Sequence, residues 1–124
     1  MTIRAIVLFA HGARDPRWAA PFEAVAERVR DAAPGSVVRL AFLELMAPSL
    51  AETIDALAAQ GVEQVDVVPL FLGAGGHLRN DLPRQADDSR RAHPGLRLRI
   101  HPPVGEAVDV IEAMAQAAVR LSGE

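Results

Sequence analysis

No cysteine occurs among the 124 residues, which excludes disulfides, thiolate metal sites, cysteine-ligated iron–sulfur clusters and cysteine nucleophiles. The absence fits a reducing compartment, and any bound metal must sit on His, Asp or Glu. Basic charge is also scarce. Thirteen basic residues against sixteen acidic ones leave a net charge of −3, the wrong sign for holding nucleic acid by counterion release, so no nucleic-acid partner is expected. Lysine is missing, and every basic side chain is an arginine. Its planar fork suits carboxylate or phosphate recognition, although genome composition accounts for the bias as simply. No stretch approaches the roughly 20 apolar residues of a membrane span. The run Ile6 to Ala10 is too short for a signal segment and meets His11 and charged residues at once. A cytoplasmic protein without a membrane partner is the expectation.

Four apolar, β-branched runs are present: Ile3 to Ala10, Val37 to Leu43, Val65 to Leu72 and Leu96 to Ile100. They alternate with four segments of helical periodicity. The first three runs are nearly continuous in apolar character, as strands buried on both faces of a parallel sheet should be. The fourth alternates Leu96, Leu98 and Ile100 with Arg97 and Arg99, the pattern of an edge strand. Asp15-Pro16 opens a first helix with Phe22, Val25, Ala26 and Val29 inward, and Pro48 opens a second with Leu50, Ile54, Leu57 and Ala58 inward and Gly61 as its stop. A third helix is predicted to start near Leu82-Pro83. A fourth runs from about Glu106 to Leu121 with Val108, Ile111, Ala115 and Val119 facing the core. Short strand–helix connections imply right-handed crossovers. The expected fold is α/β: residues 1–124 form one three-layer, flavodoxin-like domain, a four-stranded parallel sheet of order 2-1-3-4 with helices on both faces.

In such a sheet ligands bind outside the carboxyl ends of the strands. His11 follows the first strand, Glu44 the second and His77 the third. With order 2-1-3-4 both flanking strands lie about 4.8 Å from the first, so Glu44 and His77 can converge on His11. Two imidazoles and a carboxylate suit a divalent first-row ion and leave coordination positions open for exchange. Each has a plainer explanation when taken alone: a hydrogen-bonded strand-end histidine, a helix-capping glutamate, and a tight turn for Gly73, Gly75 and Gly76. Those glycines would also allow close approach of a flat or bulky ligand. His93, before Pro94-Gly95, suits the C-terminal end of a helix and a structural role. His101, before Pro102-Pro103, reads as a loop residue.

His11-Gly12-Ala13-Arg14-Asp15, Ala41-Phe42-Leu43-Glu44 with Pro48, Val68-Pro69-Leu70-Phe71-Leu72, and Gly76-His77 with Asp81-Leu82-Pro83 together resemble the short form of the CbiX/SirB family of sirohydrochlorin chelatases. The resemblance covers nearly the whole chain. It implies a class II chelatase-like half-domain that inserts a divalent ion (Co2+, Fe2+ or Ni2+) into sirohydrochlorin without ATP or another cofactor, in sirohaem or cobalamin biosynthesis. His11 and His77 would bind the metal and accept protons, and Glu44 would be the acidic ligand between them. Longer relatives hold two such domains around a cleft, so a single half implies a homodimer. The carboxylates of sirohydrochlorin call for cationic partners, for which Arg14 and Arg79 stand beside the two histidines, with Gly75 and Gly76 against the ring. Leu45, Met46, Leu78 and Leu82 are the adjacent apolar residues. Many relatives have Ser where this chain has Ala13, which removes one possible hydrogen bond.

Three other readings use the same residues. A histidine phosphatase also begins with a strand ending in His-Gly, but needs Arg before the His, where Ala10 stands. A nucleotide-phosphate nest at Gly73 to Gly76 lacks the Lys-Ser/Thr of a P-loop. A non-catalytic metal or tetrapyrrole carrier would need the same ligands as the enzyme, and only a rate measurement separates the two.

Overall fold

Strands whose side chains are apolar on both sides must be covered on both faces, and the chain meets that demand with a central sheet. A computed structural model describes residues 2–73 and 75–123, with the side chains of residues 76–78 outside the described set. The strands β1 (Arg4–Ala10), β2 (Ser36–Phe42), β3 (Gln64–Pro69) and β4 (Arg97–Ile100) are all parallel, in the order β2-β1-β3-β4, as expected. Ala10 lies opposite Phe42, and Phe9 opposite Pro69. The carboxyl ends of β1, β2 and β3 are therefore level. The ladder continues past the strands, with the Leu43 N–H donating to the Ala10 carbonyl at 2.8 Å and the Glu44 N–H to the His11 carbonyl at 3.0 Å.

One face of the sheet presents Ala5, Val7, Phe9, Ala41, Val65, Val67 and Leu98 to Leu50, Ile54 and Leu57 of α2 (Leu50–Ala59) and to Leu82 and Ala86 of α3 (Gly76–Ala92). Leu50, Ile54 and Leu57 are fully buried, each worth about 1.5–3 kcal/mol of burial. On the other face Leu8 and Val38 pack against Ala26 of α1 (Ala20–Ala32). His93 closes α3 and contacts Asp55 of α2, Nε2 to Oδ1 2.7 Å, the structural role its sequence context suggests.

The helix starts follow their local chemistry. Asp15 caps a 3-10 turn, Pro16–Ala19, that leads into α1. Its carboxylate accepts hydrogen bonds from the side chain and backbone of Arg17, which hold its pKa below the ordinary value. A capping box of Ser49 and Glu52 starts α2. Two expectations are corrected. Helix α3 begins at Gly76, not near Leu82-Pro83, and Pro83 lies inside it. Proline removes one N–H and opposes the preceding turn, yet the buried residues Leu82, Ala86 and Ser89 run on one stripe across it, so packing overrides the local penalty. Helix α4 (Val108–Leu121) forms as expected but buries no residue: Val108, Ile111 and Val119 are 80%, 49% and 55% exposed. Its substantial contact among the described elements is with the 3-10 turn Val104–Glu106 before it. That turn is fixed because Gly105 is seated on the Leu72 backbone, where an added Cβ would come within 2.0 Å of the carbonyl oxygen, and donates its N–H to the Phe71 carbonyl.

Asp66, in the middle of β3, accepts hydrogen bonds from Arg99 Nε at 2.8 Å, His101 Nε2 at 2.8 Å and Gln64 Nε2 at 3.2 Å. Burial opposes its charge, but these donors and the Arg99 charge outweigh it and lower the pKa to about 2. His101 thus serves a strand-to-loop contact. A carboxylate depressed in the folded state adds stability that is complete above its unfolded pKa of about 3.9 and is lost as pH falls through the folded value. Asp66→Asn is therefore expected to cost about 2 kcal/mol at neutral pH. In urea titrations the variant should also lose the part of the stability decline that the wild type shows between about pH 4 and pH 2. Equal slopes in that window would refute the assignment.

Candidate functional site

Two loops meet just beyond the carboxyl ends of β1 and β2, and a glycine decides how closely. Gly12 has φ +103°, and a Cβ on it would fall 1.8 Å from the Glu44 carbonyl oxygen. Glycine alone permits both the left-handed backbone and that approach. The consequence is that His11 and Glu44, thirty-three positions apart in sequence, stand side by side with Nε2 to Oε1 at 3.0 Å. Both side chains are 52% exposed. The Phe71 ring meets the His11 ring edge-on, centroids 6.0 Å apart at 73°, and rests in turn on Phe9 at 6.1 Å. The imidazole is thus held by a carboxylate and by an aromatic edge. Both groups remain accessible to solvent at this edge of the sheet. A cation arriving there would exchange one hydrogen bond for two ligands of the type first-row ions accept.

His77 occupies the first turn of α3, two residues after the N-cap Gly75, so its backbone stands at the same edge of the sheet. Its side chain lies outside the described residues, as does that of Leu78. Among the described residues no three His, Asp or Glu side chains gather into a metal site; of the expected trio, the pair His11–Glu44 is brought together. Gly75 is extended, at φ −70°, and a Cβ added to Gly73 or Gly75 would meet nothing within 4 Å. Neither glycine is demanded by its turn. What they leave is open space at the strand edge, while Gly76 begins α3.

The expected cations flank this edge. Arg14 is exposed three residues after His11 and pairs with no described residue. Arg79 is in the first turn of α3 and borders a cavity of about 120 Å3 together with Pro69, Leu82, Pro83, Ile100 and His101. Leu45, which follows Glu44 with φ +65°, is largely exposed, as is Leu72, and Met46 is half-buried. Sequence reasoning misses the role of Phe71, which sits in a continuous apolar run indistinguishable from core. The steric role of Gly12 is signalled only by its place after a strand-end histidine.

A family model described as CbiX matches residues 5–121. The sirohydrochlorin cobaltochelatase of Methanopyrus kandleri is 36% identical over 80 residues, 64% of this chain and 56% of the relative. The chain spans little more than half the length of that protein and of its Methanococcus aeolicus counterpart, of which 57% is covered. Among solved structures, a CbiX protein from Marinobacter aquaeolei VT8 superposes with a TM-score of 0.85 at 35% identity, covering 97% of this chain and 98% of the other. SirB from Bacillus subtilis, solved with Fe3+, superposes with a TM-score of 0.80 at 26% identity, over 93% of this chain and 46% of the other.

Proposed function

The chain belongs to the CbiX family, and from that premise we propose that it inserts a divalent metal ion, Co2+ or Fe2+, into sirohydrochlorin without ATP or a further cofactor. The observation that carries the reading is the His11–Glu44 pair, 3.0 Å apart and half exposed at the carboxyl ends of adjacent strands. Relatives named sirohydrochlorin cobaltochelatase and sirohydrochlorin ferrochelatase supply the substrate and both metals.

Insertion replaces two pyrrole N–H bonds by metal–nitrogen bonds, so two protons must leave as the ion enters. The hydrated ion is held by His11, Glu44 and His77 with water in its remaining positions. An incomplete protein shell lets it move on to the ring nitrogens. As each histidine gives up the metal, its freed lone pair accepts a pyrrole proton, a task for which imidazole is suited near neutral pH. Arg14 and Arg79 pair with carboxylates on the rim of the macrocycle, and Gly75 and Gly76 lie against its face. A second copy of the chain closes the cleft. No helix among the described residues is long and apolar enough to cross a membrane. The cysteine-free composition supports a cytoplasmic location.

The deciding experiment follows sirohydrochlorin absorbance anaerobically with Co2+ and, separately, Fe2+, for the wild type, for His77→Ala and without protein. Conversion faster than the blank with the wild type, and lost in the variant, is expected. A folded wild type that binds metal or macrocycle yet never exceeds the blank would make the chain a carrier.

A further inference from the structure

Beside the paired loops the sheet edge holds a second recess, and its walls differ in chemistry from its rim. Where β3 and β4 end, the first two turns of α3 stand beside them and leave a cavity of about 120 Å3. The walls are apolar. Pro69 is the last residue of β3 and Ile100 the last of β4, and Leu82 and Pro83 come from α3. Pro69 and Leu82 are buried and Ile100 is half-buried, so this part of the lining is continuous with the core and is held in shape by it. Arg79 and His101 are the polar residues of the lining.

The size and the lining together limit the occupant. Pockets that take an entire small-molecule ligand measure roughly 300–1,000 Å3, whereas this one holds only a few heavy atoms. It suits one arm of a molecule whose body lies elsewhere. An aliphatic stem satisfies the apolar walls, and Arg79 calls for an anion at its end. A guanidinium has five N–H donors in one plane, so it can grip a carboxylate with two of them while keeping another contact. The carboxylate already nearby does not oppose this. Asp66 accepts from Arg99 Nε and from the His101 Nε2–H, each at 2.8 Å. Arg99 therefore matches its charge, and the His101 ring is anchored as part of the wall. The position also fits: a recess between β3 and β4 lies about 7 Å, one and a half strand spacings, from β1, whose end carries His11. A short side arm reaches about as far from the centre of a tetrapyrrole.

Resting on the sirohydrochlorin reading above, we propose that this cavity seats one carboxyalkyl arm of the macrocycle, its stem against Pro69, Leu82 and Ile100 and its carboxylate on Arg79. The ring is then anchored at its rim by shape as well as by charge. Recognition extends to the length and apolar character of the arm, which an arginine on an open surface could not read.

Metal-free sirohydrochlorin, titrated anaerobically and followed by its absorbance, tests the subsite in the wild type and three variants. Ile100→Phe and Pro83→Phe fill the cavity and keep Arg79, whereas Arg79→Leu keeps the cavity and removes the fork. Pro83 is exposed, so its replacement should fold even if the half-buried Ile100 does not tolerate the larger ring, and circular dichroism checks each protein. The expected result is a dissociation constant about tenfold or more above that of the wild type in every folded variant. Binding weakened in Arg79→Leu but unchanged in the folded cavity-filling variants would put the carboxylate outside the cavity and overturn the subsite. Unchanged binding in all three would overturn it as well, and either result leaves the chelatase reading standing. A folded wild type that binds no sirohydrochlorin overturns both.

Discussion

Gly12→Ala is expected to cost roughly 3 kcal/mol or more, since it adds left-handed backbone strain to a close steric overlap. The new Cβ would stand 1.8 Å from the Glu44 carbonyl oxygen, an atom of backbone that cannot swing aside as a side chain would. The loop bearing Glu44 must retreat by an ångström or so before a normal contact is restored, and the His11–Glu44 geometry goes with it. Misplacement on that scale costs on the order of a hundredfold in rate, so the proposed metal insertion should fall by at least that much. Gly73→Ala and Gly75→Ala serve as controls, because a Cβ at either position meets nothing within 4 Å. Urea denaturation of the three variants should show one strongly shifted midpoint and two near the wild type. A Gly12→Ala protein with wild-type stability would mean that the two loops are not held as described.

His11→Ala should separate chemistry from folding most cleanly. The ring is half exposed and its contacts are with Glu44 and the edge of Phe71, so removing it should change stability by less than about 1 kcal/mol. On the proposed mechanism its loss removes both a metal ligand and a proton acceptor, and insertion should slow by roughly 10²–10⁴-fold. Glu44→Gln divides the effect further. The amide can still meet His11, so the geometry persists, while the negative charge that draws a divalent ion is gone. Tighter or unchanged metal binding in Glu44→Gln, measured by titration with Co2+, would remove Glu44 from the ligand set. An insertion rate in His11→Ala equal to that of the wild type would remove His11 from the mechanism.

Much of this site is legible in the amino-acid order alone. A strand that is apolar on both sides announces a parallel sheet, and in a parallel sheet the chemistry follows the strand ends. That reasoning puts His11 and Glu44 at one edge, and the two are in contact at 3.0 Å. Local rules fail where packing outweighs them. Pro83 reads as a helix start, but the stripe of Leu82, Ala86 and Ser89 extends the helix back to Gly76. The periodicity of α4 reveals the helix and not its destination. A stripe at Val108, Ile111, Ala115 and Val119 says that a helix has an apolar side, and nothing in its spacing says against which surface that side is placed.

Fold class, strand order, family and the edge at which the site lies all follow from the order of residues, because each depends on periodicity, punctuation and short connections along the chain. The approach of Gly12 to the Glu44 backbone, the support of His11 by Phe71, the Asp66 cluster and the exposed setting of α4 emerge only once the elements are packed together. These features are distances between residues far apart in sequence. A packed distance is a property of two surfaces together, and neither segment encodes it alone.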